Sequence, residues 1–231
     1  MILLIPVYNP ESGFKQFITE LTVQNFISKI ILVNDGSIIN TDYFNEVKHE
    51  KIIFLEHEIN KGKGSALKTG FKYYVENLSE DYTGLITADA DGQHLIEDIL
   101  ALGEMFSKNS NELIIGAREL KSSIPFRSYF GNSIISFMFG FLYSVKLKDT
   151  QTGLRAIPNK LLNELLKINN VGYDFEMIML CRAIRLGVDI KECQIKTVYL
   201  GKNESSHFNP ILDSFKIIWA MFKQYFTATS S

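Results

Sequence analysis

The feature that most constrains the fold is a regular alternation, over the first 120 residues, between short apolar runs and longer stretches with helical periodicity. The apolar runs have the length of strands and read ILLIPV, KIILVND, KIIFLE, TGLITADAD and ELIIGA. Helical patterns lie between them near residues 12–26, 63–76 and 96–107. This alternation is typical of a mostly parallel central sheet with helices on both faces. The sequence therefore predicts an α/β fold without a domain boundary before about residue 120.

The second half of the chain changes character after Ala117. Helical patterns at residues 125–145, 158–166 and 175–186 precede an apolar stretch at 190–200 that predicts another strand. We expect this half to pack against the edge of the sheet. The predicted domain spans residues 1–208, with one half at 1–120 and the other at 121–208.

The last 23 residues, 209–231, predict a C-terminal amphipathic helix. One helical stripe carries its apolar side chains, which are Ile211, Leu212, Phe215, Ile218, Trp219 and Phe222. Because Trp219 and the nearby lysines suit a lipid interface, we predict that this segment is a juxtamembrane helix. The aromatic positions Phe137, Phe139, Phe141 and Tyr143 of the earlier helix fit either a buried face or a lipid-facing one.

Composition excludes several classes of protein. The 231 residues carry a formal net charge of −2, which gives no field that would collect nucleic acid. Two cysteines are too few for a disulfide framework, and we interpret both as packing residues. The N-terminus lacks the basic region of a signal peptide, and no stretch reaches the roughly 20 apolar residues of a membrane span.

Polar residues follow four of the apolar runs, where the predicted strands end. Ligands of open parallel sheets bind beyond the carboxyl ends of the strands, so these residues are expected to share one crevice. The segment TADADGQH is the sharpest signal, because Asp89, Asp91 and Gln93 present oxygen ligands of the kind that Mg²⁺ and Mn²⁺ prefer. The alternative is that the acids only cap the following helix, and His94 fits either a ligand or a helix start.

Two further segments could meet a phosphorylated ligand. Lys61 and Lys63 lie in a glycine-containing loop ahead of a predicted helix, where lysines meet phosphate, although a solvated turn fits equally well. Asp35 precedes Gly36 at a strand end and would accept hydrogen bonds from a base or ribose, or form a local turn.

Together these segments resemble the family-2 glycosyltransferases of the GT-A fold, and within them the group of dolichyl-phosphate mannose synthases and polyprenyl-phosphate glucosyltransferases. The resemblance covers nearly the whole chain and depends on the order and spacing of seven segments. They read IPVYNP, LVNDGS, NKGKGSALKTGF, TADADGQH, GAR, DTQTGLRA and YDFEMIMLCRA.

The resemblance implies an inverting transfer from a UDP- or GDP-linked sugar. It implies that Asp89, Asp91 and Gln93 bind Mg²⁺ or Mn²⁺, that Asp91 and Asp149 are catalytic, and that Asp149 is the base. The implied nucleotide-sugar contacts are Pro6, Tyr8, Asn9, Asp35, Lys61, Lys63 and Asp89. The implied contacts to an acceptor phosphate are Arg118 and Arg127, and Glu176 supports the site or caps its helix.

The chain departs from the pattern of that group in two places. Pro10 separates Glu11 from the first-strand Asn9, where an acidic residue usually follows directly. Ser205-Ser206-His207 stands where a Ser-Lys pair is common, so a phosphate contact would be absent or pass to Lys202. For Arg155, in the DTQTGLR segment, we favour a surface ion pair over a phosphate contact.

The implied acceptor is a polyprenyl phosphate, which places the protein at the cytoplasmic side of a membrane, either peripheral or as the soluble part of a longer membrane protein. A phosphate monoester is largely dianionic at neutral pH and needs positioning more than deprotonation, whereas a sugar hydroxyl needs a base. Transfer to a sugar hydroxyl of a surface glycan and a non-catalytic adaptor that binds nucleotide sugar remain as alternatives. Nucleic acid is not an expected partner, and homo-oligomerisation is left open.

Overall fold

The structure, a computed structural model, describes residues 1–118, 126–170, 172–196 and 212–228, except for the side chains of residues 126–131, 212 and 228. Within these ranges the strands are β1 (Ile2–Val7), β2 (Lys29–Asp35), β3 (Ile52–His57), β4 (Gly84–Thr87), β5 (Leu113–Arg118), β6 (Arg155–Pro158) and β7 (Ile190–Ile195). The helices are α1 (Phe14–Thr22), α2 (Asp42–Glu46), α3 (Lys63–Asn77), α4 (Ile96–Lys108), α5 (Phe126–Tyr143), α6 (Asn159–Leu166), α7 (Asp174–Arg185) and α8 (Leu212–Ala228).

The strands form one sheet in the order β3-β2-β1-β4-β6-β5-β7. Every pairing is parallel except those of β6, which runs antiparallel to both β4 and β5. The prediction of a mostly parallel sheet with helices on both faces is confirmed. Because β6 is reversed, the loop that precedes it lies at the same edge as the carboxyl ends of its neighbours. That reversal brings residues 149–154 to the edge where β4 and β5 end.

The continuous apolar runs of the central strands are buried on both faces. In β1, Ile2 and Leu4 belong to one core cluster while Leu3 and Ile5 belong to the cluster on the opposite face. The first cluster includes residues of α3, α6 and α7, and the second includes residues of α1 and α4. Side chains alternate between the faces of a strand, so a strand covered on both sides must be apolar at every position.

The two aromatic helices divide their side chains between the core and the surface. In α5, Phe139 is buried, whereas Phe137 and Phe141 are 76% and 81% exposed, because residues two apart lie on nearly opposite sides of a helix. In α8, Phe215 and Trp219 are 69% and 66% exposed. Phe139 therefore takes the buried position, whereas contact of Phe137 and Phe141 with lipid stays a prediction.

The C-terminal helix is anchored to the rest of the domain. Its buried face consists of Ile217, Ala220 and Met221, which belong to the first core cluster. Tyr143 Oη donates a hydrogen bond to the carbonyl of Met221 at 3.1 Å, and Arg185 Nη2 donates to the carbonyl of Gln224 at 2.5 Å. The predicted single apolar stripe is thus divided, since Ile218 and Phe222 pack against the core while Phe215 and Trp219 point outward.

Two elements were absent from the sequence-based expectation, namely the short strand β6 and the five-residue helix α2. The cysteines are unbridged, and Cys181 is buried in the core, where burial raises the pKa of its thiol to about 11. Among the helices of the described residues, none combines the length and apolar character that crossing a bilayer requires.

Candidate functional site

The predicted site residues gather at the carboxyl edge of the sheet, where the loops after β1, β2 and β4 meet the loop before β6. The first two loops are joined by Asn9, which has a positive φ of 51° that asparagine tolerates better than most residues. Asn9 Oδ1 accepts hydrogen bonds from the backbone N–H groups of Ile38 and Ile39 at 2.9 and 3.2 Å. The side chain of Asn9 therefore holds the loop, while Pro6 and Tyr8 are partly buried beside it.

Asp35, at the end of β2, organises the loop that carries the two lysines. Its carboxylate accepts hydrogen bonds from the backbone N–H groups of Lys61 and Gly62, both at 2.9 Å. It also lies 2.6 Å from Nδ1 of the buried His57, whose Nε2 lies 2.8 Å from Thr69 Oγ1. Asp35 thus ties the ends of β2 and β3 to the start of α3. The signal for His57, a histidine at a strand end, was present in the sequence but was not used.

Lys63 is the first residue of α3 and contacts two acids. Its Nζ lies 2.6 Å from Asp89 Oδ1 and 3.1 Å from Glu176 Oε2. Burial by itself disfavours the ammonium form, but Asp89 and Glu176 outweigh it, so the pKa of Lys63 is raised above its usual range. Lys61, two residues earlier, is exposed. The two lysines, which the sequence analysis treated alike, therefore have different surroundings.

Asp89 follows β4 and is enclosed on several sides. A Cβ on Gly153 would lie 2.2 Å from Asp89 Oδ2, so only glycine allows the loop before β6 to approach this carboxylate. His94 Nε2 lies 3.5 Å from the same oxygen and has no hydrogen-bond partner among the described residues, although it is buried. Burial disfavours the carboxylate, but Lys63 and His94 outweigh it and hold the pKa of Asp89 below its usual range.

Asp91 has the opposite electrostatic environment. Burial and the neighbouring charge of Asp89 raise its pKa, although the backbone N–H of Gln93 donates a hydrogen bond to its Oδ1 at 3.0 Å. A divalent cation relieves this kind of repulsion between carboxylates. In the part of the chain that the structure describes, no three His, Cys, Asp or Glu side chains are grouped as metal ligands. The donor set fits Mg²⁺ or Mn²⁺ only if Gln93 and a bound diphosphate complete it.

A second acid lies at the same edge, on the loop before β6. Asp149 is buried and pairs with Arg118, the last residue of β5, with Oδ2 2.5 Å from Arg118 Nε and Oδ1 3.1 Å from Nη2. Asn132 Nδ2 and the backbone N–H of Gln151 also donate to Oδ1, at 3.2 and 3.0 Å. The carboxylate thus accepts four hydrogen bonds, and it fixes the plane of the Arg118 guanidinium.

Arg155 is fully buried, which contradicts the surface ion pair expected for it. Its guanidinium donates to the carbonyls of Thr150 and Thr152 at 3.0 and 2.8 Å and to the carbonyl of Glu176 at 2.6 Å. Burial lowers its pKa, and nearby carboxylates, Glu176 first, oppose this shift. Arg155 therefore fastens the loop of Asp149 to the helix that carries Glu176. Sequence reasoning missed this role because backbone carbonyls have no sequence signature.

The structure thus brings together Asp89, Asp91, Gln93 and Lys63, and it places Arg118 with Asp149. The side chain of Arg127 lies outside the described residues, as do Lys202 and Ser205-Ser206-His207. The roles assigned to individual residues at this edge remain predictions.

Comparison with known proteins gives a consistent result. Residues 2–183 match the family model described as Glycosyl transferase family 2. The sequence is 31% identical to a UDP-N-acetylglucosamine–dolichyl-phosphate N-acetylglucosaminyltransferase of Methanococcus voltae. The alignment covers 95% of this chain and 93% of the relative. It is 27% identical to an undecaprenyl-phosphate mannosyltransferase of Micrococcus luteus, over 89% of this chain and 86% of the relative.

Among solved structures, the chain is similar to glucosyl-3-phosphoglycerate synthase from Mycobacterium tuberculosis in complex with Mn²⁺, UDP and glucosyl-3-phosphoglycerate. The TM-score is 0.72 at 15% identity, over 96% of this chain and 78% of the solved chain. At this identity the likeness concerns the fold, and it confirms the GT-A prediction. That neighbour was solved with a divalent metal and a nucleotide.

Proposed function

Because the chain belongs to glycosyl transferase family 2, it is a glycosyltransferase, and we propose that it moves a hexose from a nucleotide sugar to a polyprenyl phosphate, with inversion, at the cytoplasmic face of a membrane. The observation that carries the proposal is the placement of two different charge clusters at one sheet edge. One cluster contains Asp89 and Asp91, and the other contains Arg118 and Asp149. The first suits a metal-bound diphosphate, and the second suits an anionic acceptor.

The donor is held at the ends of β1, β2 and β4. Pro6, Tyr8 and Asp35 border the nucleoside, and Lys61, whose side chain is exposed, lies where it can meet the diphosphate. Asp89, Asp91 and Gln93 would hold Mg²⁺ or Mn²⁺, which when bound neutralises the negative charge of the diphosphate leaving group. The relative from Methanococcus voltae is named for UDP-N-acetylglucosamine, so this donor is the first to test.

The acceptor phosphate binds at Arg118, and Arg127 at the start of α5 is its proposed second contact. A guanidinium holds phosphate oxygens in a fork, and the fork of Arg118 is oriented by Asp149. An oxygen of the lipid phosphate attacks the anomeric carbon, a new carbon–oxygen bond forms, and the bond to the diphosphate breaks. Both relatives named above carry dolichyl or undecaprenyl phosphate in their names.

Asp149 contributes mainly by holding Arg118. A phosphate with a second pKa of roughly 6 is already ionised at neutral pH, so the nucleophile needs no strong base. Asp149 is 1% exposed and accepts four hydrogen bonds, two of them from Arg118, so its carboxylate orients that guanidinium. A base at this position would be required for a sugar hydroxyl acceptor. The role of Asp149 therefore separates the two acceptor classes.

We place the lipid surface against the exposed aromatic side chains of α5 and α8. Phe137, Phe141, Phe215 and Trp219 are each at least 66% exposed, which is unusual for side chains of this size. Aromatic side chains of this kind favour the boundary between headgroups and acyl chains. A hydrogen bond from Tyr143 Oη to the carbonyl of Met221 joins the two helices.

Transfer from a labelled donor tests the function directly. UDP-N-acetylglucosamine, UDP-glucose and GDP-mannose are each incubated with the protein, Mn²⁺ and undecaprenyl phosphate, with undecaprenol as the matched acceptor that lacks only the phosphate. We expect label in the lipid fraction with the phosphate and none with the alcohol. Transfer to a glycan hydroxyl alone, or binding of nucleotide sugar without turnover, would contradict the proposal.

Membrane binding is best tested with point substitutions. Removal of α8 would disturb the fold, because this helix contributes Ile217 and Met221 to the core. We expect Phe137→Ser with Phe141→Ser to reduce co-sedimentation with phosphatidylglycerol vesicles several-fold, by loss of the apolar contact area. The matched control replaces Val23 and Ile38 by Ser, since these apolar side chains are 68% and 79% exposed but lie elsewhere on the chain. If both variants bind the vesicles equally well, the proposed contact of α5 with the membrane is contradicted.

A further inference from the structure

The backbone at Lys63, the first residue of α3, is held in place, and its ammonium group has a specific partner. Gly62, the residue before it, has a φ of 91°, a value that glycine adopts without strain, and its N–H is held by Asp35 at 2.9 Å. The Lys63 ammonium then lies 2.6 Å from Asp89 Oδ1. The backbone that presents this cation is thus anchored to β2, while the charge itself reaches the end of β4.

A divalent ion bound by Asp89 would need a carboxylate oxygen that the ammonium of Lys63 already contacts. Mg²⁺ would bind a carboxylate oxygen at about 2.0–2.1 Å, and the Oδ1 atom of Asp89 already has Lys63 within hydrogen-bond distance. The other oxygen, Oδ2, lies 3.5 Å from His94 Nε2, and both oxygens lie close to the backbone at Gly153. A dication and an ammonium in contact with the same carboxylate repel each other, so the two cations compete for Asp89.

Glu176 gives the lysine a second anion. Its Oε2 atom lies 3.1 Å from Lys63 Nζ, and its side chain is largely buried. The helix that carries Glu176 is fastened in turn, because Arg155 Nη1 donates to the carbonyl of Glu176 at 2.6 Å. Lys63 can therefore leave Asp89 and still keep an ion-pair partner at short range.

We propose that Lys63 is the resident counter-cation of the metal site: it neutralises Asp89 in the absence of donor and yields this carboxylate when the divalent ion arrives with the diphosphate. Without nucleotide, Lys63 would keep such an ion from Asp89, whereas phosphate oxygens of a bound nucleotide would supply further ligands. Lys63, released toward Glu176, becomes available to the diphosphate. This inference goes beyond the proposed function and depends on it only in taking Asp89 as a metal ligand.

The test measures Mn²⁺ binding in the absence of nucleotide. Binding is detected as loss of the free-ion signal in electron paramagnetic resonance. We expect Lys63→Met to bind Mn²⁺ at least tenfold more tightly than wild type, because the competing cation is gone. Lys61→Met is the matched control. It removes the same charge from a side chain that is exposed and lies two residues earlier in the sequence. Lys63→Arg retains a cation and should bind Mn²⁺ as weakly as wild type.

Equal tightening in Lys63→Met and Lys61→Met would overturn the proposal, because it would show only a general effect of charge. Unchanged or weaker binding in Lys63→Met would also overturn it. If Lys63→Met does not fold, Lys63→Gln takes its place, with thermal unfolding as the check. Adding Asp89→Asn to the lysine variant should abolish the gain. Absence of Mn²⁺ binding in every variant, even with UDP or GDP, would instead refute Asp89 as a metal ligand.

Discussion

The two carboxylate–cation pairs at the sheet edge are built differently. Asp89 pairs with Lys63, a compact point charge that Glu176 shares. Asp149 pairs with Arg118, whose planar fork makes two hydrogen bonds to it, while Asn132 adds a third donor side-chain contact. A lysine ammonium is easily exchanged for another cation, whereas a bidentate guanidinium is held by geometry as well as charge. The first pair suits a replaceable cation, and the second suits a fixed phosphate grip.

The difference also appears in the surroundings of each acid. The pKa of Asp89 is lowered and that of Asp91 is raised, so the first pair lies beside an unbalanced negative charge that a dication would neutralise. The carboxylate of Asp149 is instead surrounded by donors from Arg118, Asn132 and Gln151. Two acids close to one edge therefore have different chemistry, and the distinction follows from their partners.

The largest expected effect is on the rate of turnover, which should fall much more for a substitution in the first cluster than for one in the second. We expect Asp91→Asn to reduce transfer to undecaprenyl phosphate by roughly 10²–10³-fold, since the leaving diphosphate loses its charge compensation. Asp149→Asn should cost only about tenfold, because it weakens the orientation of Arg118 without removing a base. Initial rates with saturating donor measure both, with the exposed Glu97→Gln as the control for lost charge. Equal, complete losses would argue for a hydroxyl acceptor.

Arg155 links the two clusters, so its replacement should affect both. Arg155→Met leaves the carbonyls of Thr150, Thr152 and Glu176 without their buried donor, and we expect a loss of about 3–5 kcal/mol in the free energy of unfolding. Urea denaturation followed by circular dichroism measures this loss. A change of less than about 1 kcal/mol would mean that the clusters are held independently.

A smaller effect tests the fork of Arg118. Arg118→Lys keeps the charge but loses the two parallel hydrogen bonds to Asp149, so KM for the lipid phosphate should rise about five- to tenfold. The KM for the donor in the same variant is the internal control and should not change. If both constants rise together, Arg118 supports the whole edge and does not act as a grip for the acceptor.

The smallest effect concerns stability without metal. Burial and the charge of Asp89 raise the pKa of Asp91, so its ionised form destabilises the folded state above the unfolded pKa of about 4. Asp91→Asn should therefore raise Tm at pH 7 by about 1–3 °C, and this gain should vanish below about pH 4, where the wild-type acid is protonated. Differential scanning calorimetry with EDTA measures it. A lower Tm at pH 7 would show that the acids are already balanced.

Much of the fold was predictable because the central parallel strands β1 and β2 contain continuous apolar runs, and this pattern is local. The short strand β6 was missed because RAIP is only four residues long and follows a loop rich in polar residues. The candidate site was predicted as a set of positions at strand ends. The pairing of Lys63 with Glu176 was not predictable, since the two residues are far apart in sequence and meet only through the packing of α3 and α7.

The sequence by itself determined the α/β fold, the family and the polar segments that end the strands, because hydrophobic periodicity and motif spacing are properties of the chain. Only the tertiary structure decided which cation faces which acid, which aromatic side chains of α5 and α8 stay exposed, and that Arg155 is buried among carbonyls. The physical reason is that ion pairing and burial depend on distances between elements remote in sequence. The reversal of β6 is what brings Asp149 and Gly153 to the edge where Asp89 and Arg118 lie.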